Sequence, residues 1–233
     1  MRAYIHHHLG LGDHIICNGL VREVYKRHGG LCTIFSKKVN YKTVSFMYKD
    51  IGVEIVEVPD SIPYVTGDSD EAVDVYLSGL KEGQVYKCGS FLHAADWESF
   101  VKEHSFDEIF YIDANVPFDC KMNSFYVERD KKREDSLFKL FNIDSDYIFI
   151  HDKPECPIKI KNDKGYRIIR PNITSETLFD YCSIIEQAKE IHCIDSSFLS
   201  MADLMQLNKS ERYLHTVKTP AIPPRLRQSW RVI

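Results

Sequence analysis

The sequence has 233 residues, of which 44% are hydrophobic and 27% charged, and its formal net charge is −4. This balance is typical of a globular protein with one large domain or two small ones. A small negative charge gives no general attraction to a nucleic-acid backbone, so we expect no nucleic-acid partner.

The cysteines and the hydropathy pattern indicate a reducing, cytoplasmic setting. The cysteines are odd in number, scattered, and never form a Cys-x-x-Cys pair, which predicts neither a disulfide framework nor a zinc site. No stretch approaches the roughly 18 apolar residues of a membrane-spanning helix, and no signal peptide is recognised. Any membrane contact is therefore expected to be peripheral. The seven cysteines are Cys17, Cys32, Cys88, Cys120, Cys156, Cys182 and Cys193.

Strands and helices alternate along the first half of the chain. A strand at 3–8, a turn with Gly10 and Gly12, a helix from about 13 to 28 and a strand at 31–35 predict a βαβ unit. The next predicted elements are a helix at 42–50, a strand at 53–58, a helix at 69–80, a strand at 84–88, a helix at 97–103 and a strand or extended segment at 108–112. Alternation of this kind predicts a mostly parallel sheet covered by helices.

The second half repeats the pattern on a smaller scale. The charged stretch 128–135 opens a helix through Phe141 and is interpreted as a solvated helix face that also links the two halves. The next predicted elements are strands at 147–151 and 166–170, a helix from about 174 to 188, a strand at 191–194 and a helix at 197–207. The proline-containing tail 219–233 is expected to be irregular.

Two α/β halves predict two Rossmann-like domains, at 1–125 and 126–233, facing each other across a cleft. Ligands of such sheets bind beyond the carboxyl ends of the strands. Two loops follow strands in this way, at 9–13 and at 195–197. We therefore expect the functional residues in these loops.

The first loop combines glycines with an acidic residue. Gly10 and Gly12 permit a tight turn and a close backbone approach, and the helix that follows presents free N–H groups. The dinucleotide fingerprint needs a third glycine where this chain has Ile15, so no nicotinamide or flavin cofactor is expected. Asp13 is a candidate catalytic carboxylate, although helix capping alone also accounts for it. His14 is a weaker candidate beside it.

A family resemblance supports the catalytic interpretation. Residues 10–22, Gly-Leu-Gly-Asp-His-Ile-Ile-Cys-Asn-Gly-Leu-Val-Arg, resemble the opening of the ADP-heptose-type glycosyltransferases. The resemblance implies a GT-B fold in compact form, with a helix or strand missing because the chain is short. It also implies that Asp13 is the base that deprotonates the acceptor hydroxyl. The loop is then an acceptor-side loop rather than a phosphate cradle.

The second loop is the candidate donor site. Asp195, Ser196 and Ser197 end a strand and begin a helix, where hydroxyl and N–H groups could hold a diphosphate, although a serine there could also simply cap the helix. The loop resembles the hydroxyl-rich donor turn of many GT-B enzymes. The candidate cations for the leaving diphosphate are His151, Lys153 and Arg170, each of which lies at or just after the end of a predicted strand and could equally be solvated.

The acidic triplets 68–70 and 144–146 imitate a metal-binding Asp-x-Asp motif, but capping and turn formation explain them better. We therefore expect no metal and no cofactor, only a nucleotide-sugar donor and a glycan or other hydroxyl acceptor. The base analogy implies inversion at the anomeric carbon. Two alternatives stay open. One is another sugar-nucleotide enzyme of GT-B shape, such as an epimerase or hydrolase, and the other is a non-catalytic nucleotide-binding module.

Overall fold

The computed structural model describes residues 1–60, 68–89, 93, 97–205, 207, 209–216 and 224–233. The chain divides into two compact units. Unit 1 is Met1–Glu128 with Ile222–Arg225, and unit 2 is Arg129–Ala221 with Leu226–Ile233.

Unit 1 is built on a parallel sheet. Its described strands are β1 (Ala3–His6), β2 (Cys32–Lys37), β3 (Glu54–Val58) and β4 (Gln84–Lys87), in the order β3-β2-β1-β4. Ile5 pairs with Ile34 on one side and Tyr86 on the other, and all three are buried. The predicted parallel α/β sheet of the first half is confirmed.

The helices of unit 1 differ from the prediction in two places. The single helix expected at 13–28 is divided at Cys17 into α1 (Leu11–Ile16) and α2 (Asn18–Arg27). The strand or extended segment expected at 108–112 is wrong, because these residues lie in helix α6 (Phe106–Asp113). There the Glu108 carboxylate accepts the backbone N–H of Ser105 and closes the first turn. The other described helices are α3 (Tyr41–Met47), α4 (Asp68–Ser78), α5 (Trp97–Glu103), α6 (Phe106–Asp113) and α7 (Cys120–Asn123).

Unit 2 is built on a second parallel sheet. Its described strands are β5 (Tyr147–His151), β6 (Arg167–Ile169), β7 (Glu190–Ile194), β8 (Glu211–His215) and β9 (Arg231–Val232), in the order β6-β5-β7-β8-β9. β8 was not predicted. The tail expected to be irregular supplies β9, because Tyr213 and Leu214 of β8 pair with Arg231 and Val232.

The helices of unit 2 are short. The described ones are α8 (Lys131–Leu140), α9 (Cys182–Gln187) and α10 (Ser197–Leu204). The helix expected at about 174–188 begins later, as a 3₁₀ turn at Leu178–Tyr181 that leads into α9. The connection between β5 and β6, residues 152–166, is fully described and contains no helix. An ordinary βαβ crossover carries one at this position.

Candidate active site

The order of strands in unit 1 defines where a ligand would bind. From β1 the chain proceeds to β2 and β3 on one side, whereas β4 pairs with the other side of β1. Sheets of this kind bind ligands beyond the carboxyl ends of the two strands at such a switch point. The loop with Gly10, Gly12 and Asp13 follows β1 directly, so the structure places all three of these predicted residues at the switch point of unit 1.

Asp13 lies in the first turn of α1, and its carboxylate folds back toward the start of the helix. A β-carbon added at Gly10 would stand 2.5 Å from Asp13 Oδ2. Negative charge in the first turn of a helix is favoured by the helix dipole. The Asn40 side-chain amide donates to the Leu9 carbonyl at 3.0 Å and ties the loop to the segment after β2. Asp13 is half-buried, so its carboxylate is held in place but remains accessible.

His7 and His14 form a buried pair behind this loop. Their ring centroids are 4.6 Å apart, and both side chains are almost entirely inaccessible. Burial lowers the pKa of His7 to about 4 and holds the pKa of His14 well below its ordinary range. Both imidazoles are therefore neutral at pH 7, and His14 has no open path to a substrate.

His6 continues the histidine run but points to acidic partners. Its Nε2 lies 3.1 Å from Asp70 Oδ1, and this hydrogen bond lowers the pKa of Asp70. Asp70, the last residue of the first acidic triplet, is thus paired with a histidine. Within the described ranges, no three histidine, cysteine, aspartate or glutamate side chains are grouped to hold a metal ion.

Gly89 is a residue at this edge that the sequence did not single out. It lies just beyond β4 with a φ of +124°, where a β-carbon would meet His8 and Phe110 at 2.8–2.9 Å. Its backbone N–H donates to Asp113 Oδ2 at 2.8 Å. A glycine directly after a strand was the available signal.

Unit 2 has a switch point of its own, between β5 and β7. β6 pairs with one side of β5, and β7 and β8 follow on the other side. His151, Asp152 and Lys153 come at the end of β5, and Asp195, Ser196 and Ser197 come directly after β7. The structure therefore brings most of the predicted donor-site residues to one edge of the sheet.

Two of these residues open helix α10. Ser196 is the N-cap, since its Oγ accepts the Leu199 N–H at 3.4 Å and donates to the Ile194 carbonyl at 3.1 Å. Ser197 is the first residue of the helix and is half-buried. Desolvation of its carboxylate raises the pKa of Asp195, and the nearby positive charge of Lys153 opposes this rise. Lys153 thus acts on the loop after β7.

His151 and Arg170 are engaged within the unit. The His151 ring lies 4.4 Å from the Phe198 ring, and burial lowers the pKa of His151 to about 4. A neutral imidazole can offer a diphosphate a hydrogen bond but no charge. Arg170 pairs with Asp152 at 3.3 Å, and Asp152 Oδ2 also accepts the Ile158 N–H at 2.9 Å. The sequence does not single out Asp152 as a site residue, because its two partners, Ile158 and Arg170, are 6 and 18 residues away along the chain.

The chain is similar to known proteins in structure rather than in sequence. No protein-family model matches the sequence, and no curated protein matches it. Several solved structures match over the whole of this chain, among them the following three. The glycosyl transferase family 9 protein from Veillonella parvula is 9% identical, with a TM-score of 0.59 over 85% of its own length. E. coli ADP-heptose lps heptosyltransferase II is 13% identical, with a TM-score of 0.53 over 90% of its length. E. coli heptosyltransferase WaaC with ADP is 13% identical, with a TM-score of 0.50 over 90%.

The chain has the glycosyltransferase fold of these proteins. The resemblance to the ADP-heptose-type family is thereby confirmed for the fold, with two parallel α/β sheets, one in each unit. None of the helices described in this glycosyltransferase-fold chain is long and apolar enough to cross a membrane.

Proposed function

We propose that this chain is a glycosyltransferase that moves a sugar from a nucleotide-sugar donor to a hydroxyl group of a glycan or other acceptor. The observation that carries the proposal is the Asp13 carboxylate, held over Gly10 at the switch point of a sheet with the glycosyltransferase fold. Residues 1–125 take the acceptor in this proposal, and residues 126–233 take the donor.

Asp13 is the proposed base. The acceptor oxygen attacks the anomeric carbon, its proton passes to the Asp13 carboxylate, and the bond from that carbon to the diphosphate oxygen breaks. Attack opposite the leaving group inverts the configuration. His14 contributes by packing against His7 beneath the loop, because a fully buried imidazole cannot exchange a proton with a bound acceptor. Gly10 and Gly12 shape the loop.

The donor diphosphate is proposed to lie at the start of α10. The Ser197 hydroxyl and the free N–H groups of the first helical turn are donors for phosphate oxygens, and Ser196 keeps that turn in place. Lys153 and Arg170 supply positive charge, Arg170 only in part because Asp152 shares it. His151 can add a hydrogen bond. Positive charge and N–H donors can stabilise a leaving diphosphate without a metal ion, and the proposed mechanism uses none.

A nucleotide screen tests the donor half. Thermal unfolding is measured with ADP, UDP, GDP and their common sugar derivatives, since a ligand at a hundred times its dissociation constant adds about 2.7 kcal/mol to the stability. We expect at least one nucleotide to raise the Tm. If none does, the glycosyltransferase proposal is wrong.

Replacing Asp13 tests the base. With the donor from the screen, Asp13→Asn should lower kcat about 10²- to 10⁴-fold while leaving donor binding unchanged, as expected for loss of a general base. Asp119→Asn, at an exposed position of the same unit, is the matched control and should keep full activity. Donor cleavage without transfer would favour a hydrolase, and epimerised donor an epimerase. Binding without turnover in the wild-type chain would favour a nucleotide-binding module.

A further inference from the structure

One face of the unit 2 sheet carries polar side chains that the proposed mechanism does not use. The other face is the one covered by α10, where His151 pairs in register with Cys193 and the His151 ring contacts Phe198. Side chains alternate along a strand, so His192 projects from the opposite face. His192 is nevertheless 4% exposed. A buried imidazole needs hydrogen-bond partners, and their identity fixes where its hydrogen resides.

A stack across three neighbouring strands fixes the plane of the His192 ring. His192, Tyr213 and Arg231 occupy adjacent register positions on β7, β8 and β9. The His192 and Tyr213 rings are 4.4 Å apart and within 10° of parallel. The Arg231 guanidinium lies 5.5 Å from the centre of the same tyrosine ring. The stack therefore fixes the orientation of the His192 ring plane, and the hydrogen-bond partners of its two nitrogens must lie in that plane.

In that plane His192 contacts one group on each side. Its Nε2 lies 3.4 Å from Glu190 Oε2, and its Nδ1 lies 2.9 Å from His215 Nε2. Glu190 is held in turn by Lys164, whose Nζ is 3.1 Å from Oε1. Glu190, His192 and His215 thus form a continuous row of hydrogen bonds.

The carboxylate dictates the tautomer of each imidazole in the row. An ionised Glu190 can only accept, so the hydrogen of neutral His192 is on Nε2 and its Nδ1 carries a lone pair. That lone pair must accept from His215, whose hydrogen is therefore also on Nε2. Burial lowers the pKa of both histidines, which favours their neutral forms. His215 Nδ1 is then left as an acceptor.

His215 stands beside the candidate donor loop. It pairs in register with Ile194, the residue directly before Asp195. The charge of Asp152, at the end of β5, also acts on His215. No residue in the described part of the chain donates a hydrogen bond to His215 Nδ1. The lone pair of His215 Nδ1, with the Asp152 carboxylate nearby, repels phosphate oxygens. The ligand group that suits it is a hydroxyl, which can donate a hydrogen bond.

We propose that Glu190 and His192 position His215, and that His215 Nδ1 accepts a hydrogen bond from a ribose hydroxyl of the nucleotide donor. The ribose contact rests on the proposed function, which supplies the nucleotide donor. The row of hydrogen bonds does not depend on the proposed function. His192 and Glu190 are positioning residues, since only His215 contacts the ligand. The proposal has two separate tests, one of which needs no ligand.

The first test reads the tautomers directly. Nitrogen-15 NMR of the imidazoles at pH 7.5 should place the hydrogen of both His192 and His215 on Nε2. Glu190→Gln should give a mixture at His192, because an amide can donate as well as accept. Glu211→Gln is the matched control, since Glu211 is the register neighbour of Glu190 and bonds to the Tyr213 hydroxyl instead. A major Nδ1–H form of either histidine in the wild-type chain would overturn the proposal.

The second test uses two substitutions of His215. In His215→Gln the amide NH₂ can replace Nε2–H toward His192, but the Nδ1 acceptor is lost. In His215→Asn the amide oxygen takes the place of Nδ1, and the contact with His192 is lost. With whichever of ADP, UDP or GDP stabilises the wild-type chain, we expect about 3- to 10-fold weaker binding to the glutamine variant, the size of one lost neutral hydrogen bond. His215→Asn should bind the nucleotide more tightly than His215→Gln does, because its amide oxygen restores the acceptor.

Deoxynucleotides identify the hydroxyl. Either the 2′-deoxy or the 3′-deoxy form of that nucleotide should bind the wild-type chain and His215→Gln equally. The ribose contact does not exist if His215→Gln weakens binding of both deoxy forms as much as it weakens binding of the parent nucleotide. It does not exist either if His215→Gln leaves the affinity for the parent nucleotide unchanged. If no nucleotide binds the wild-type chain, the proposed function and the ribose contact both fail. The tautomers still decide whether the row of hydrogen bonds is real.

Discussion

The Asp13 carboxylate occupies the space that a side chain at Gly10 would need, since an added β-carbon would stand 2.5 Å from Oδ2. Gly10 has a φ of −71° and a ψ of 147°, which any residue can adopt. Glycine is therefore required at this position to leave room for the Asp13 carboxylate, and not to allow an unusual backbone conformation.

Gly10→Ala should therefore impair catalysis more than folding. The methyl group forces the carboxylate aside, and a misplacement of about 1 Å can cost roughly 10²-fold in rate. Stability should fall by about 1 kcal/mol or less, the usual cost of alanine at a helix N-cap. Steady-state kinetics and urea unfolding check the two parts. Gly79→Ala, where the nearest atom would be 3.5 Å away, should leave kcat unchanged. Full activity in Gly10→Ala would show that the carboxylate position is not critical.

A buried ion pair in unit 1 predicts an asymmetric response to mutation. Lys121 Nζ lies 2.5 Å from Asp107 Oδ2, and both side chains are at most 2% exposed. Together they hold the backbone of Arg225, whose N–H donates to Asp107 at 2.9 Å and whose carbonyl accepts from Lys121 at 2.7 Å. Removing the cation alone leaves a buried, uncompensated carboxylate.

Lys121→Met should destabilise the protein by about 3–5 kcal/mol, the usual cost of breaking a buried pair from one side. Adding Asp107→Asn should recover part of that loss, because no unpaired charge then remains. The exposed pair of Lys26 and Glu23 is the control, and Lys26→Met should cost about 1 kcal/mol or less. Urea unfolding measures all three. Equal losses for Lys121→Met and Lys26→Met would contradict the burial argument.

The two serines at α10 should separate stability from ligand binding. Ser196 caps the helix through its hydroxyl, whereas the Ser197 hydroxyl is outside that cap. Ser196→Ala should cost about 1 kcal/mol of stability, and Ser196→Asn, another good cap, should cost less. Ser197→Ala should leave the ligand-free Tm nearly unchanged and reduce the Tm increase produced by nucleotide. The reverse pattern would move the phosphate contact to Ser196.

His7 predicts a loss of stability in mild acid. Its folded-state pKa of about 4 lies below the ordinary 6.5, so the unfolded chain takes up this proton first as the pH falls. The stabilisation is complete above about pH 6.5 and is lost progressively toward pH 4, with roughly 2 kcal/mol gone at pH 5. Urea unfolding at pH 7.5 and 5 measures it. His7→Phe should reduce the difference between the two pH values by that amount, and an unchanged difference would mean that His7 is not buried in its neutral form.

The sequence predicts the layered α/β architecture well because the alternation of apolar strands and amphipathic helices is a local signal. It fails where two local signals conflict. The apolar run in α6 fits a strand as well as a helix, and the capping pair Ser105 and Glu108 decides the matter. β8 was missed because Glu211, Tyr213 and His215 are polar. Their place in the sheet depends on β7 and β9, which are distant in sequence.

The candidate site was likewise predicted where the signal is local in sequence, and not where it depends on contacts between distant residues. The loops at 9–13 and 195–197 are recognisable because each follows a strand. What surrounds them is not recognisable, since the partner of Arg170 is Asp152 and the partner of His192 is His215. These pairings arise only when separate strands lie side by side.

The helix-free connection between β5 and β6 has a consequence for how this fold can vary. Asp152 holds the start of the connection through Ile158 and Arg170, and Asn162 holds its end by bonding both the N–H and the carbonyl of Tyr166. Two short side chains thus close the crossover at each end. Between these clamps Lys159 and Lys161 are exposed, whereas Ile160 packs against the core cluster that contains Ile158. New residues can therefore be inserted at the exposed positions, provided that Ile160 keeps its contact with the core.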